Sequence, residues 1–169
     1  MWINELETAR LRFRLYTDED FPFLFSLLSD AETVRYIGNG QVRTKEEALQ
    51  FMGWIQNHYA TKKGTGLLLI VGKEDGQPLG HAGLVPQQIE GIDEIEVGYW
   101  ISRPYWGNGL ASEAVNALLQ YGKSLDIQRI VALIQPENRA SVNVATKCGL
   151  DFEKSVLFKE REVSLYTIR

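Results

Sequence analysis

Cysteine and histidine are scarce in this chain: Cys148 is the one thiol among 169 residues, and His58 and His81 are the two imidazoles. A single thiol excludes an internal disulfide. No His and Cys cluster has metal-ligand spacing either, so no metal is expected and a reducing, cytoplasmic setting is the default. Positive charge is not in excess. With 18 Lys and Arg against 22 Asp and Glu the net charge is -4, and no segment supplies the clustered basic surface that phosphate backbones require, which argues against a nucleic-acid partner. Long apolar runs are also missing: nothing approaches the roughly 18 apolar residues of a membrane span. The opening "MWINELETARLRFR" places acids before its first base and has no signal-peptide core. Neither a membrane partner nor a targeting segment is expected. Repeats and low-complexity linkers are lacking, so residues 1–169 are read as one domain.

What is present alternates between two periods. "RLRFRLY" (10–16) alternates charged and apolar residues as a half-buried strand does, and "TDEDFPFLFSLLSD" reads as a helix capped by Thr17. "TKEEALQFMGWIQNHY" (44–59) is a second helix, with Thr44 and Glu47 matching a capping box. "GLLLIVGK", "PLGHAGLVP" and "DEIEVGYWIS" are short β-rich runs bounded by Gly, Pro and Asp, which predicts an antiparallel meander. From residue 110 the period is helical, with Leu110, Ala114, Ala117, Leu118, Tyr121 and Leu125 on one face. "RIVALIQ" reads as a strand buried on both faces. "NRASVNVATKCG" is a helix capped by Asn138 and stopped by Gly149, and "FEKSVLFK" with "REVSLYTI" forms a terminal strand pair. The class is α/β.

Between the third run of the meander and the following helix lies "RPYWGNGLASEA" (103–114). A strand that runs into a helix N-terminus leaves amides without partners, and these attract an anion together with the helix dipole. Gly107 and Gly109 let the backbone approach that anion and permit the positive φ that turns successive amides inward. The stretch therefore predicts a phosphate or pyrophosphate site. It is not a nucleotide-triphosphate loop, because "GK[ST]" is missing, and Ser112 stands where a dinucleotide fingerprint needs Gly or Ala.

"EVGYWISRPYWGNGLASEAV" followed by "VALIQPENRASVNVATKCGL" resembles the acyl-CoA-binding core of the GNAT N-acetyltransferases, in particular the RimJ/RimL-like branch, and "ETARLRFRLYTDEDF" is similar to that branch's first strand and helix. The resemblance spans about residues 7–165. It implies an α/β (α+β) fold with a mixed, mostly antiparallel sheet of about seven strands, splayed between the fourth and fifth and flanked by about four helices. Acetyl-CoA would lie in the split, its pyrophosphate on the amides of Trp106, Gly107, Asn108, Gly109, Leu110 and Ala111. Two departures stand out. Pro104 replaces a common Gln or Arg, and Ala145 stands where many members carry a tyrosine general acid. In the RimJ/RimL-like branch the resemblance gives Ser141 the role of hydrogen-bonding the departing thiolate.

Transfer of an acetyl group to an amine needs a neutral nucleophile, an oriented carbonyl and help for the leaving sulfur. An α-amine with a pKa of about 7.7–8.0 reaches neutrality far more easily than a lysine near 10.4. On "DEIEVGYWI" the odd positions Ile95, Val97, Tyr99 and Ile101 are apolar and face a core, so Glu94, Glu96, Gly98 and Trp100 share the other face. In the family that face borders the acceptor cleft, which makes Glu96 the candidate base, Trp100 a cleft residue and Glu94 a solvated acid. A break at the strand end would turn the amides of Ile101 and Ser102 toward the pantetheine arm and the thioester oxygen. Asn138 is read as helix cap and pantetheine contact together, and Arg103 or Arg139 as a partner of the 3'-phosphate. Cys148 is read as a structural thiol and His81 as a packing residue that could line the cleft. Phe21, Phe23, Phe25, Tyr36, Trp54 and Tyr59 are read as mostly core, with a minority walling the acceptor site. The expected activity is direct transfer, in a ternary complex, from acetyl-CoA to a protein N-terminal α-amine, by a monomer or homodimer. A small amine acceptor (polyamine, amino acid or aminoglycoside) and a CoA-binding regulatory module without catalysis are the alternatives.

Overall fold

A computed structural model describes residues 6–61 and 64–169; Met1 to Glu5 of the N-terminal stretch lie outside the described residues. The elements in chain order are β1 (Leu11–Arg14), α1 (Phe21–Leu28), α2 (Ala31–Val34), α3 (Lys45–Thr61), β2 (Gly66–Gly72), β3 (Pro78–Ile89) and β4 (Ile92–Ile101). They continue with α4 (Leu110–Ser124), β5 (Ile130–Ile134), α5 (Arg139–Lys147), β6 (Asp151–Phe158) and β7 (Arg161–Ile168). Short 3-10 turns occupy Asp18–Asp20 and Arg103–Tyr105. The strands form one seven-stranded sheet in the order β1-β2-β3-β4-β5-β7-β6. Every neighbouring pair is antiparallel except β4 and β5, which are parallel and meet at Glu96 and Val131. That short pairing beside a ten-residue β4 is the splay the resemblance implies.

The apolar faces build a core on each side of the sheet, with a third, smaller cluster of Ile89, Val131, Val156, Val163 and Leu165. Val97 and Ile101 of β4, with Leu68, Ile70, Ala82 and Leu84, pack against Leu110, Ala114, Val115 and Leu118 of α4. On the other face Leu67, Leu69 and Val71 meet Leu24 and Leu28 of α1 and Ala48, Met52 and Ile55 of α3. Tertiary packing refines the expected α4 stripe: Val115 and Leu119 are buried, whereas Leu125 falls at the helix end and is exposed. The N-terminal helix is also shorter than the pattern suggested. A 3-10 turn follows Thr17, Pro22 occupies the first turn of α1, and Asp30 caps a separate α2 by accepting from the Thr33 amide. The Thr44 and Glu47 capping box is present in both directions, at 2.9 and 3.2 Å. The terminal strands form the expected antiparallel pair, but β7 inserts between β5 and β6, so the last strand in sequence lies inside the sheet.

Candidate active site

A cavity of about 540 Å³ opens along the split, large enough for an extended cofactor arm and a reacting amine. Its floor at one end is the glycine loop. Gly107 has φ +80° and Gly109 +75°, the left-handed conformation that L side chains rarely adopt, and both line the cavity. A Cβ on Gly107 would meet open space, so an approaching ligand finds bare backbone there. The first hydrogen bond closing α4 runs from Glu113 N to Gly109 O at 3.1 Å, which leaves the amides of Leu110, Ala111 and Ser112 without a backbone partner among the described residues. Arg10, just before β1, sets the loop's orientation. Its guanidinium donates to the Asn108 carbonyl at 2.9 Å and to Glu113 at 2.7 Å. In a trans peptide C=O and N–H point opposite ways, so tying the Asn108 carbonyl to Arg10 turns the Gly109 N–H away from it. Thr8 also donates to Glu113. Burial works to raise the Glu113 carboxyl, but hydrogen bonds from Thr8 and Arg10 outweigh it and hold the group below its usual value, as a carboxylate paired with Arg10 and favourably placed in the first turn of α4.

Two of the amides expected in the cofactor site are engaged elsewhere. The Trp106 amide donates to the Arg103 carbonyl at 3.1 Å within the 3-10 turn and is not free for phosphate. Ser102 lies outside the cavity, and its amide donates to Leu79 O at 2.8 Å, continuing the β3–β4 ladder. Amides alternate along a strand, so the donors turned toward the split are those of the odd residues Tyr99 and Ile101. Asn108 contributes no wall to the cavity: its side chain closes the loop onto the Tyr105 carbonyl. Trp100, Ile101, Trp106, Leu110, Ala111 and Asn138 line it. Asn138 caps α5 by accepting from the Ser141 amide at 3.2 Å.

Glu96 lines the cavity on the face of β4 that carries Trp100, as the parity argument requires. Desolvation raises its carboxyl to about 7, with a hydrogen bond from Gln87 (2.9 Å) and the charge of Lys159 working the other way. Such a group is ionised half the time near neutrality, the condition for an efficient general base. It also has a measurable cost. A carboxyl whose pKa rises from 4.5 to about 7 on folding contributes stability that is fully present below pH 4.5 and is lost as pH climbs through 7. Glu96→Gln should therefore gain thermal stability relative to the unsubstituted protein on passing from pH 5 to pH 9, and a pH-independent difference in melting temperature would contradict the burial of this charge. Glu94 is no solvated acid. Arg129 donates to both of its oxygens at 3.0 and 3.1 Å and reaches Glu153 as well, a structural network linking β4, the start of β5 and β6.

On the opposite face of β4, Ser141 of α5 lines the cavity and its hydroxyl donates to Tyr99 Oη at 2.9 Å. Tyr99 in turn donates to the Ser141 carbonyl at 3.0 Å. Burial raises the Tyr99 phenol to about 12, so it stays a donor throughout the neutral range. Ala145, one turn further along α5, is fully buried. The acceptor end is walled by α2 and the segment after it, including Glu32, Arg35 and Tyr36. Two long-range bonds hold that segment: Arg103 to Asp30 at 2.8 Å and Gln135 Nε2 to Gly38 O at 2.9 Å. Arg103 is thereby committed to an ion pair, while Arg139 is exposed at the start of α5. His81 does not line the cleft. It is fully buried, bonded through Nδ1 to Tyr16 Oη at 2.7 Å, and its pKa is lowered by burial to about 3. Trp54, among the aromatics read as mostly core, is exposed and packs against His58 with the rings tilted by 57°. Cys148 is buried at the end of α5 and donates to Ser112 O, a structural thiol as expected.

Comparisons with known proteins agree with this geometry. Residues 10–151 match the family described as Acetyltransferase (GNAT) domain. YkkB of Bacillus subtilis (strain 168) is 36% identical over 167 residues, covering 96% of this chain and 94% of its own. The N-acetyltransferase p20 of Bacillus licheniformis is 32% identical over 163 residues, covering 95% and 88%. In fold, the chain is similar to an acetyltransferase from Agrobacterium tumefaciens str. C58, with a TM-score of 0.84 at 23% identity over 97% of this chain and 93% of that one. GNAT acetyltransferases use acetyl-CoA, and the glycine loop, the first-turn amides of α4 and the split sheet fit that substrate. The chain belongs to the GNAT acetyltransferase family and is an N-acetyltransferase.

Proposed function

We propose that the acceptor is the α-amine of a peptide N-terminus, acetylated by direct transfer within a ternary complex, as in the RimJ/RimL-like branch of the family. The observation that carries this reading is Glu96, a carboxylate at the cavity wall with a pKa of about 7. An α-amine of pKa about 7.7–8.0 lies close enough for proton transfer between the two to be nearly thermoneutral, whereas a lysine near 10.4 would surrender its proton to this base only at a cost of several kcal/mol. The lining supports the same choice. Arg35 accompanies Glu32 and Glu96 in the wall, an adverse setting for a polycation that needs acids throughout.

In this reading the pyrophosphate rests on the amides of Gly109, Leu110 and Ala111, and the pantetheine arm pairs with the odd amides of β4 and with Asn138. Arg139 meets the 3'-phosphate. The Ile101 amide polarises the thioester carbonyl while Glu96 accepts the proton of the attacking nitrogen, and Ser141 donates a hydrogen bond to the departing sulfur. The new C–N bond forms as the C–S bond breaks, and the sulfur leaves with the electron pair. The test is release of CoA in the presence of acetyl-CoA and three acceptors: a peptide with a free α-amine and no lysine, an N-blocked peptide with one lysine, and spermidine. Turnover concentrated on the first is expected. Preference for spermidine would replace the peptide with a small amine, and CoA release with none of them would leave a binding module.

A further inference from the structure

Resting on the reading of Ser141 as the hydrogen-bond donor to the leaving sulfur, we propose that Tyr99 is the positioning residue that makes this serine effective. Its hydroxyl holds Ser141 Oγ at the cavity wall and turns its own O–H from the Ser141 carbonyl onto Oγ as charge develops on the sulfur. Each link is present in the geometry. The two hydroxyls are 2.9 Å apart, the tyrosine's resting acceptor is the carbonyl of the same serine at 3.0 Å, and both residues line the cavity. While Ser141 donates to Tyr99 it cannot donate to sulfur. When its O–H rotates toward a thiolate, a lone pair of Oγ turns to face Tyr99, and Tyr99 has only to swing its proton from one Ser141 oxygen to the other to meet it.

The surroundings favour a hydrogen-bond donor here over an acid. Burial keeps the phenol near 12, well above a thiol of about 8.5, so a proton donated from Tyr99 toward the sulfur side is shared and not transferred. The electron pair stays on sulfur, and the thiolate takes its proton from solvent on release. Topology separates the two halves of the reaction. Glu96 and Tyr99 are three residues apart on β4 and therefore on opposite faces, about 10 Å along the strand. The amine is deprotonated on the side of α2, and the sulfur departs on the side of α5. Ala145 lies one helical turn beyond Ser141 on the same face of α5 and carries only a methyl group. The phenol that meets Ser141 therefore comes from the strand, and α5 offers no hydroxyl at position 145.

The experiment titrates the thiol of CoA bound to the enzyme, followed by the ultraviolet absorbance of the thiolate, with kcat and KM measured on the same samples. Bound to the unsubstituted protein, the thiol should titrate about one unit below the free value of roughly 8.5. Tyr99→Phe should return it most of the way and lower kcat about tenfold, the equivalent of that unit, with KM for acetyl-CoA unchanged. Ser141→Ala should do the same, and Tyr99→Phe added to Ser141→Ala should cost nothing more, because the tyrosine acts only through the serine. Calorimetric binding of CoA by each variant establishes that it is folded. If Ser141→Ala raises the thiol pKa and Tyr99→Phe leaves it and kcat untouched, the tyrosine is a packing residue and the inference is overturned while the role of Ser141 stands. Full additivity in the double variant would overturn it as well. If neither substitution moves the bound thiol although acetylation proceeds, the role given to Ser141 falls together with that of Tyr99.

Discussion

Replacing Glu96 by Gln should lower kcat/KM for a peptide α-amine at pH 7 by about 10²-fold or more, the usual scale for removing a general base. The amide keeps the size of the side chain and its bond to Gln87, so affinity for CoA should be unchanged by calorimetry, and the loss should appear in the chemical step. The deficit should shrink as pH rises past the acceptor's own pKa of about 8, where the nucleophile is increasingly neutral before it binds. Glu94→Gln is an informative companion because its carboxylate is held by Arg129. It should spare the rate and cost a little stability, on the order of 1 kcal/mol, because Arg129 loses one charged partner and keeps its bonds to Glu153 and Thr167. A variant pair showing the reverse pattern, with Glu94→Gln slow and Glu96→Gln active, would mean that the base is misassigned.

Gly109→Val should weaken CoA binding by at least tenfold, about 1.4 kcal/mol. The residue has φ +75°, a conformation strained by about 1–2 kcal/mol for any side chain and worse for a β-branched one. A Cβ there would also stand 3.6 Å from the Arg10 guanidinium that orients the Asn108 carbonyl. Relief of that strain rotates the peptide that presents the Gly109 amide, so the phosphate loses donors while the sheet and both cores keep their contacts. Calorimetry on the folded variant measures this, and an unchanged affinity would remove the glycine loop from the binding site.

Local requirements were legible in the chain because they demand particular residue types. A left-handed backbone wrote itself as Gly107 and Gly109, caps as Thr44 with Glu47 and as Asn138, and the two faces of β4 as the parity that separates Glu96 from Val97. What escaped depends on partners far away in sequence. Whether the Ser102 amide faces the split is set by the phase of the β3–β4 ladder, which Leu79 decides. The ion pairs of Arg10 with Glu113 and of Arg129 with Glu94 join residues whose proximity exists only after the sheet has formed, and so does the insertion of β7 between β5 and β6. Tyr99 was read as a core residue and its ring is one, packed beside α4 and α5. Its hydroxyl emerges at the far end of that ring, where an aromatic can be apolar along its body and functional at its tip. No sequence signal singled out that hydroxyl: with Ala145 in place of a tyrosine the resemblance turned to Ser141 alone, and the bond between Ser141 and Tyr99 exists only once α5 has packed beside β4.

The account stands most directly on the ionisation of Glu96, and the measurement that tests it is the pH profile of kcat/KM with a peptide α-amine acceptor, for the unsubstituted protein and Glu96→Gln. The unsubstituted protein should show a rising limb that breaks near pH 7, where Glu96 ionises, as well as the acceptor's own break near 8, and Glu96→Gln should retain only the second. Two profiles that share a single break at the acceptor's pKa would show that the amine loses its proton without this carboxylate, and would contradict the assignment.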